Sequence, residues 1–380
     1  MSLGGSETAK KPYVSIDDLY RKSTQFQMWS FTKSALEETK KKANENGTKV
    51  AKQRLLNEYN NLKESNRTLF EQYPQELNID TIFDPLTFEE EQKYLHFYCE
   101  KIITTADFFN MATQVKATAM SFFKKFYLVN SVMEYHPKNI LYTCLFLAAK
   151  LEYYFISIES YCKILPKTEP KDILDLEFIV LLSLKFTLLV YHPFRPLYGF
   201  FLDFQAVLLH PSPLMYDVNV DKLGHLYNQA KEWLNKYAII SYVGFMFTPP
   251  QIALAAMYDI DKRITNKYLQ RKYLREQLDA IKEEQDEKKG QDEQKHQDEQ
   301  KHQDEQKDEE VTDDNQSLES QQRTQYETIV RTIVKCIRIA KAETQTSLQE
   351  SKDIDRKCFF TLNPAKMMNK KIKKLSSGTE

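Results

Sequence analysis

Glycine is scarce in this 380-residue chain: there are 8, and none lies between Gly47 and Gly199. Tight hairpins and phosphate-cradling loops need glycine's access to positive φ, so the first half of the chain argues against both and for helices joined by short polar loops. The class expected is all-α. Five cysteines, at 99, 144, 162, 336 and 358, are odd in number and contain no CxxC pair. Neither a disulfide framework nor a zinc site is indicated, and a reducing compartment fits. The seven histidines are scattered, and G-x-S-x-G, H-E-x-x-H and G-x-x-x-x-G-K-[ST] are all absent. The expectation is therefore no enzyme, no metal and no cofactor. A net charge of −1 supplies no global basic field, so nucleic acid is not expected as a direct partner.

Long uncharged runs are also missing, with one exception. Tyr237 to Tyr258, YAIISYVGFMFTPPQIALAAMY, has the length of a bilayer span. Pro249-Pro250 breaks it, so the reading is two buried helices that meet at an N-cap Thr248, with Pro249 at the first helical position and no membrane. The first residues, MSLGGSETAKK, are polar and do not read as a cleavable signal.

What is present is a 42% hydrophobic chain, enough to bury real cores. The densest stretch is 119–153. From Ile140 to Leu151, apolar residues at 140, 141, 144, 145, 147, 148 and 151 make a helix greasy on nearly every side, hence central. Lys150 and Glu152 arrive together at its C-terminal end, where a cation suits the helix dipole. A second apolar helix, ILDLEFIVLLSLKFTLLV at 173–190, carries Glu177 among Ile173, Leu174, Val180 and Leu181. A carboxylate on such a face needs a partner: Lys150, or a surface on another protein.

These residues carry a resemblance. FFKKFYLVNSVMEYHP, then CLFLAAKLEY, then ILDLEFIVLLSLKFTLLVYHPFRP resemble the first cyclin box of the transcriptional C/H cyclins, most of all the cyclin H family of the TFIIH kinase module, over roughly residues 20–275. The resemblance implies two tandem five-helix cyclin-box repeats with flanking N- and C-terminal helices. It implies a nuclear regulatory subunit that binds and activates a cyclin-dependent kinase catalytic subunit, together with a RING-type assembly subunit and the TFIIH core, for RNA polymerase II C-terminal-domain phosphorylation. By the same likeness Lys150 and Glu177 pair and contact the kinase's αC region, and Leu147, Leu151, Phe186 and Leu188 line the apolar part of that surface. Trp29 and Phe31, in QMWSFTKSALEETKKKAN, are either docking anchors or a hydrophobic staple against the fold. A TFIIB-type DNA-binding factor uses the same repeat, but it wants a zinc ribbon and a basic second repeat, and neither is here. A C- or K-type cyclin for another transcriptional kinase is the remaining alternative, since YHPFRPL also looks C-like.

The chain divides as follows. Residues 1–85 are a polar region with a helix opened by a capping box at Ser34–Glu37 and running toward Lys42. The first box, 86–190, holds helices at 87–107, 112–130, 137–153, 157–165 and 170–188. The second, 191–281, holds 196–209, 219–246, 249–262 and 266–281. Arg195 between two prolines either faces a partner or caps the inter-repeat turn. Residues 282–322 are an acidic low-complexity insertion repeating Q-D-E-Q-K-H, in which His296 and His302 reflect tandem expansion and not metal binding. A helix within 323–345 follows, with the stripe Tyr326, Ile329, Val330, Ile333, Val334 and Ile337. The segment 346–380 reads as a solvated basic tail, or an import or acidic-partner patch.

Overall fold

The computed structural model describes residues 16–75, 77–209, 218–273, 305–342 and 347–377. They form two compact units, His192–Thr344 and the pair of flanking segments Met1–Tyr191 and Gln345–Glu380. Among the described residues there is no strand.

The flanking unit begins with two short helices, α1 (Ile16–Arg21) and α2 (Thr24–Trp29), and one long one, α3 (Lys33–Ser65). The cap of α3 is Thr32, whose hydroxyl accepts from Ala35 N–H at 3.2 Å, not Ser34, which lies inside the helix. The helix also runs far past Lys42. Gly47 explains how it seats: a Cβ there would stand 2.2 Å from the Ser131 Cβ, so only glycine lets α3 come this close. Short helices α4 (Arg67–Gln72) and α5 (Ile79–Ile82) lead to five more: α6 (Phe88–Phe108), α7 (Thr113–Phe126), α8 (Pro137–Leu151), α9 (Ile158–Ile164) and α10 (Pro170–Ser183). Helix α8 packs against α6, α7 and α10, and every residue from Ile140 to Ala149 is buried, as a helix greasy on all sides requires.

Helix α10 ends earlier than 188. Lys185 N–H donates to Leu182 C=O and Phe186 N–H to Leu181 C=O, a Schellman stop. Lys185 and Phe186 stand at φ 52° and 55° without a glycine to signal the turn.

The C-terminal segment is not a solvated tail. It forms α16 (Leu348–Leu362), packed on α6 and α3, and α17 (Pro364–Ser377), packed on α3. Among the lysines lie two helical pairs, Ile354/Cys358 and Met368/Ile372, all buried. Lys357 pairs with Asp84 (2.9 Å) and Glu90 (3.0 Å), and Asp355 accepts from the Tyr94 hydroxyl and lies 3.2 Å from His136 Nε2.

The other unit holds α11 (Phe194–Leu209) and α12 (Val220–Trp233), then α13 (Pro249–Ile260), α14 (262–273) and α15 (Glu305–Ala340). The expected helix 219–246 breaks: α12 widens into a π turn at Leu234–Ala238, and a 3₁₀ turn follows at Val243–Phe245. Apolar periodicity did not disclose these breaks, because the mainly apolar residues of 237–247 fit a continued helix as well as a π turn and a 3₁₀ turn. Thr248 N–H donates to Gln251 Oε1 at 3.0 Å, closing the α13 cap where Pro249 begins the helix. No helix among the described residues is long and apolar enough to cross a membrane. Asp259 ties this unit together, accepting from Trp233 Nε1–H (2.8 Å) and pairing with Lys341 (2.6 Å). The stripe on α15 packs on the core with Ile333 and Cys336 buried. Helix α15 opens at Glu305, inside the segment assigned to the insertion, because its Glu, Gln and Lys are good helix formers once a docked stripe nucleates them. The rest of the repeat, with His296 and His302, lies outside the described residues.

Three lysines of the first-described unit carry a pH signature. Burial pushes Lys124 and Lys125 on α7 down to about 8, and burial with the Lys124 charge pushes Lys40 down to about 7. Each amine holds its proton less tightly folded than unfolded, so stability rises with pH from those values toward the ordinary lysine range. The buried thiols act oppositely. Cys99 is pushed up to about 11 by burial, so the unfolded chain ionises first above its ordinary value of 9.0. Urea unfolding is expected to show this unit more stable at pH 8 than at pH 7 by on the order of 1 kcal/mol, with the gain reversing in more alkaline solution. Lys40→Met should flatten the rise.

Candidate functional site

The C-terminal end of α8 and the middle of α10 bring the two singled-out charges together. Lys150 Nζ donates to Glu177 Oε1 and lies 4.9 Å from the centre of the Phe146 ring. Helix α10 supplies the carboxylate from a half-buried position, with the side chain of Glu177 17% exposed and that of Lys150 45%. The pair sits at the rim of the bundle, not within it.

Beside it the protein is unusually apolar. Leu174, Phe178 and Leu182, four residues apart, lie on one face of α10, all exposed, with Phe178 at 60%. The chain beyond the Schellman stop adds Phe186 and Leu189, also exposed, and the Phe178 and Phe186 rings lie 6.5 Å apart. Tyr153, at φ 58°, and Phe155 stand out from the segment after α8. Exposed large apolar side chains concentrated within 153–189 mark this stretch as the candidate interaction surface.

Of the residues expected to line that surface, Phe186 is exposed, and Leu151 and Leu188 are half-buried. Leu147 is not part of it. At 6% exposure it packs inside the bundle, because α8 is enclosed on that side too. Trp29 is likewise buried, at 3%, and its indole N–H donates to Thr187 Oγ1 at 2.8 Å, so it is an internal staple and presents no surface of its own. Arg195 is exposed in the first turn of α11. Leu174, Phe178, Leu182, Leu189, Tyr153 and Phe155 were not singled out by the sequence. The available signal was that 173–190 is apolar on nearly every side, whereas one chain has too few elements to cover all of its faces.

Among the described residues, no group of His, Cys, Asp and Glu is arranged to hold a metal ion, and all five cysteines are free and buried. A cleft of about 310 Å³ between α3, α16 and α17, lined by Leu55, Phe83, Arg356 and Phe360 among others, includes none of the rim residues.

The chain matches the cyclin N-terminal domain over residues 53–189 and the cyclin C-terminal domain over residues 192–341. It is 40% identical over 260 residues to cyclin CCL1 of Saccharomyces cerevisiae, which spans 68% of this chain and 62% of that protein. It is 38% identical over 259 residues to cyclin mcs2 of Schizosaccharomyces pombe (68% and 74%) and 32% identical over 243 residues to a putative cyclin-H of Dictyostelium discoideum (63% and 74%). Among solved structures it is similar to a chain of the CAK complex of Chaetomium thermophilum bound to ATP-gamma-S, at 25% identity and TM-score 0.62 over 96% of this chain and 90% of that one. It is also similar to a chain of the yeast TFIIK (Kin28/Ccl1/Tfb3) complex, at 35% identity and TM-score 0.52 (67% and 91%). The chain belongs to the cyclin family, and within it to the H-type cyclins of the transcriptional group.

Proposed function

We propose that this chain is the regulatory subunit of a cyclin-dependent kinase of the TFIIH type, and that the apolar face of α10 with the Lys150–Glu177 pair is where the kinase docks. The observation that carries the reading is that face: Leu174, Phe178, Leu182, Phe186 and Leu189 exposed beside a charge pair, on a cyclin box. The work is conformational. A kinase resting in an inactive form is shifted by whatever binds its active form better, and by no more than that difference in affinity. Docking against α10 holds the kinase's αC helix inward, which brings the kinase's own Lys–Glu pair and metal-binding Asp into register. The chain contributes no catalytic group. A RING-type assembly subunit and the TFIIH core complete the proposed assembly, in the nucleus, with the RNA polymerase II C-terminal domain as the substrate. The solved relatives support this: the yeast assembly pairs Ccl1 with Kin28 and Tfb3.

Co-purification from the native source, followed by phosphorylation of a repeated Ser-Pro peptide, tests the reading. A stoichiometric kinase and activity lost on its removal are expected, and a chain active alone or free of a kinase refutes it. Within that assay, Lys150→Ala isolates the pair. An exposed ion pair contributes roughly 0–1 kcal/mol to the free chain, so its melting should barely change. Docking, however, buries Glu177 without its cation, at a cost on the order of 3 kcal/mol, or about a hundredfold in Kd. Equal capture by variant and parent removes Lys150 from the interface.

A further inference from the structure

The residues between the end of α10 and Tyr191 have no regular secondary structure, yet two of them, Phe186 and Leu189, stand out on the docking face. Beyond the turn bonds at 184–187, a segment without regular structure leaves backbone groups for side chains or water to pair. Among the described residues, side chains of α2 and α7 supply such hydrogen-bonded holds, and α1 adds a ring contact. Gln25, buried on α2, takes Tyr191 by both backbone groups: Tyr191 N–H donates to Oε1 at 2.7 Å and Nε2 donates to the carbonyl at 3.3 Å. Trp29 donates its indole N–H to the Thr187 hydroxyl, which in turn donates to Leu184 C=O at 2.6 Å. Lys125 Nζ reaches Thr187 C=O at 3.5 Å and stands 5.3 Å from the Trp29 ring centre, with Lys185 at 5.8 Å from the same ring. The Tyr20 ring meets the Tyr191 ring edge-on at 5.5 Å.

The geometry points to a clasp: α2, through Gln25 and Trp29, fixes the path of residues 184–191 and so sets where Phe186 and Leu189 stand for the kinase, without touching it. Gln25 and Trp29 are positioning residues. Thr187, which the indole holds, is the immediate neighbour of Phe186, and Lys185 and Phe186 occupy a left-handed turn that non-glycine residues keep only when their surroundings impose it. Loosening the clasp lets the turn relax and spends binding free energy on re-ordering it. This rests on the docking role proposed above for the α10 face.

The test uses the full chain and the kinase subunit that co-purifies with it. Hydrogen exchange at 184–191 should quicken roughly tenfold in Trp29→Ala while α6 to α8 keep parental protection, and Gln25→Ala, a milder change, should do the same near Tyr191. Kinase Kd should rise about tenfold for Trp29→Ala. In a background carrying both Phe186→Ala and Leu189→Ala, Trp29→Ala should add far less than its own loss, since the clasp then has neither side chain left to position. Parental exchange in both clasp variants, or fully additive losses, overturns the clasp, the latter by showing that α2 meets the kinase directly. Unchanged Kd for Phe186→Ala alone overturns the docking reading beneath it.

Discussion

Phe178→Asp is expected to abolish kinase capture, raising Kd at least a hundredfold, while leaving the free chain folded with an undiminished melting temperature. The asymmetry follows from where the ring stands. Phe178 is 60% exposed, central in the row Leu174, Phe178, Leu182, and its nearest ring neighbour is Phe186, itself exposed. Free in water, an aspartate there gives up little packing and removes an apolar surface that favours aggregation. Covered by a partner, the same carboxylate is desolvated without a cation, since Lys150 is already committed to Glu177. An unpaired buried charge costs several kcal/mol, and two or three are a factor of about a hundred. Pull-down or calorimetry with the kinase subunit, beside a circular-dichroism melt, reads both halves. Unaltered capture removes α10 from the interface. A lowered melt with capture intact means the ring serves the fold instead.

Particular residues separate what the sequence disclosed from what it hid. Lys150 and Glu177 were legible because each is a charge set among apolar neighbours of its own helix, and such a charge has few possible partners. They do meet. The central place of α8 was legible for the complementary reason, that a helix without a polar face must be surrounded. The same logic misled at α10, where an all-apolar pattern declares that every face is covered but not by which molecule. Its open face is visible only once α8 and α9 are seen to occupy the others. Leu147 illustrates the converse error: on a helix covered all round, a residue near the pair need not reach the surface. The end of α10 was hidden because Lys185 does a glycine's work in the Schellman turn. Helix α17 was hidden by composition, since the lysines of 366–375 mask a face of Met368 and Ile372, flanked by the partly buried Met367 and Leu375. The sequence left Trp29 open between a docking anchor and a staple, and its burial with the indole's bond to Thr187 marks it as a staple.

Loss of Glu91 should damage the fold severely, and the residue drew no notice in the sequence because it is the third of three glutamates in the first turn of α6. Glu89 and Glu90 do what acids at a helix start usually do, while Glu91 turns inward and is 3% exposed. Its Oε1 accepts from the Ser131 hydroxyl at 2.7 Å and from Val132 N–H at 2.8 Å, and its Oε2 accepts from the Asn44 amide at 2.6 Å. One carboxyl thus joins α3, α6 and the turn after α7 at the place where Gly47 allows α3 to touch Ser131. Burial pushes its pKa up against the pull of those three hydrogen bonds. Glu91→Ala takes an acceptor from three buried donors, of which only the Asn44 amide keeps another, at 3.3 Å to Leu86 C=O; each loss costs about 1–3 kcal/mol, and relief of the carboxyl's own desolvation offsets only part. A net loss on the order of 3 kcal/mol is expected, a large fraction of the roughly 5–15 kcal/mol that holds a domain together. Glu91→Gln should fall between parent and alanine, because its amide must face one donor with another. Urea midpoints of the three proteins measure the order, and α3 should lose exchange protection before α8 does. If glutamine equals the parent, the network does not need its second acceptor oxygen; if alanine equals the parent, α3 is held by the apolar contacts of Leu36, Ala51 and Leu55 and not by the carboxyl.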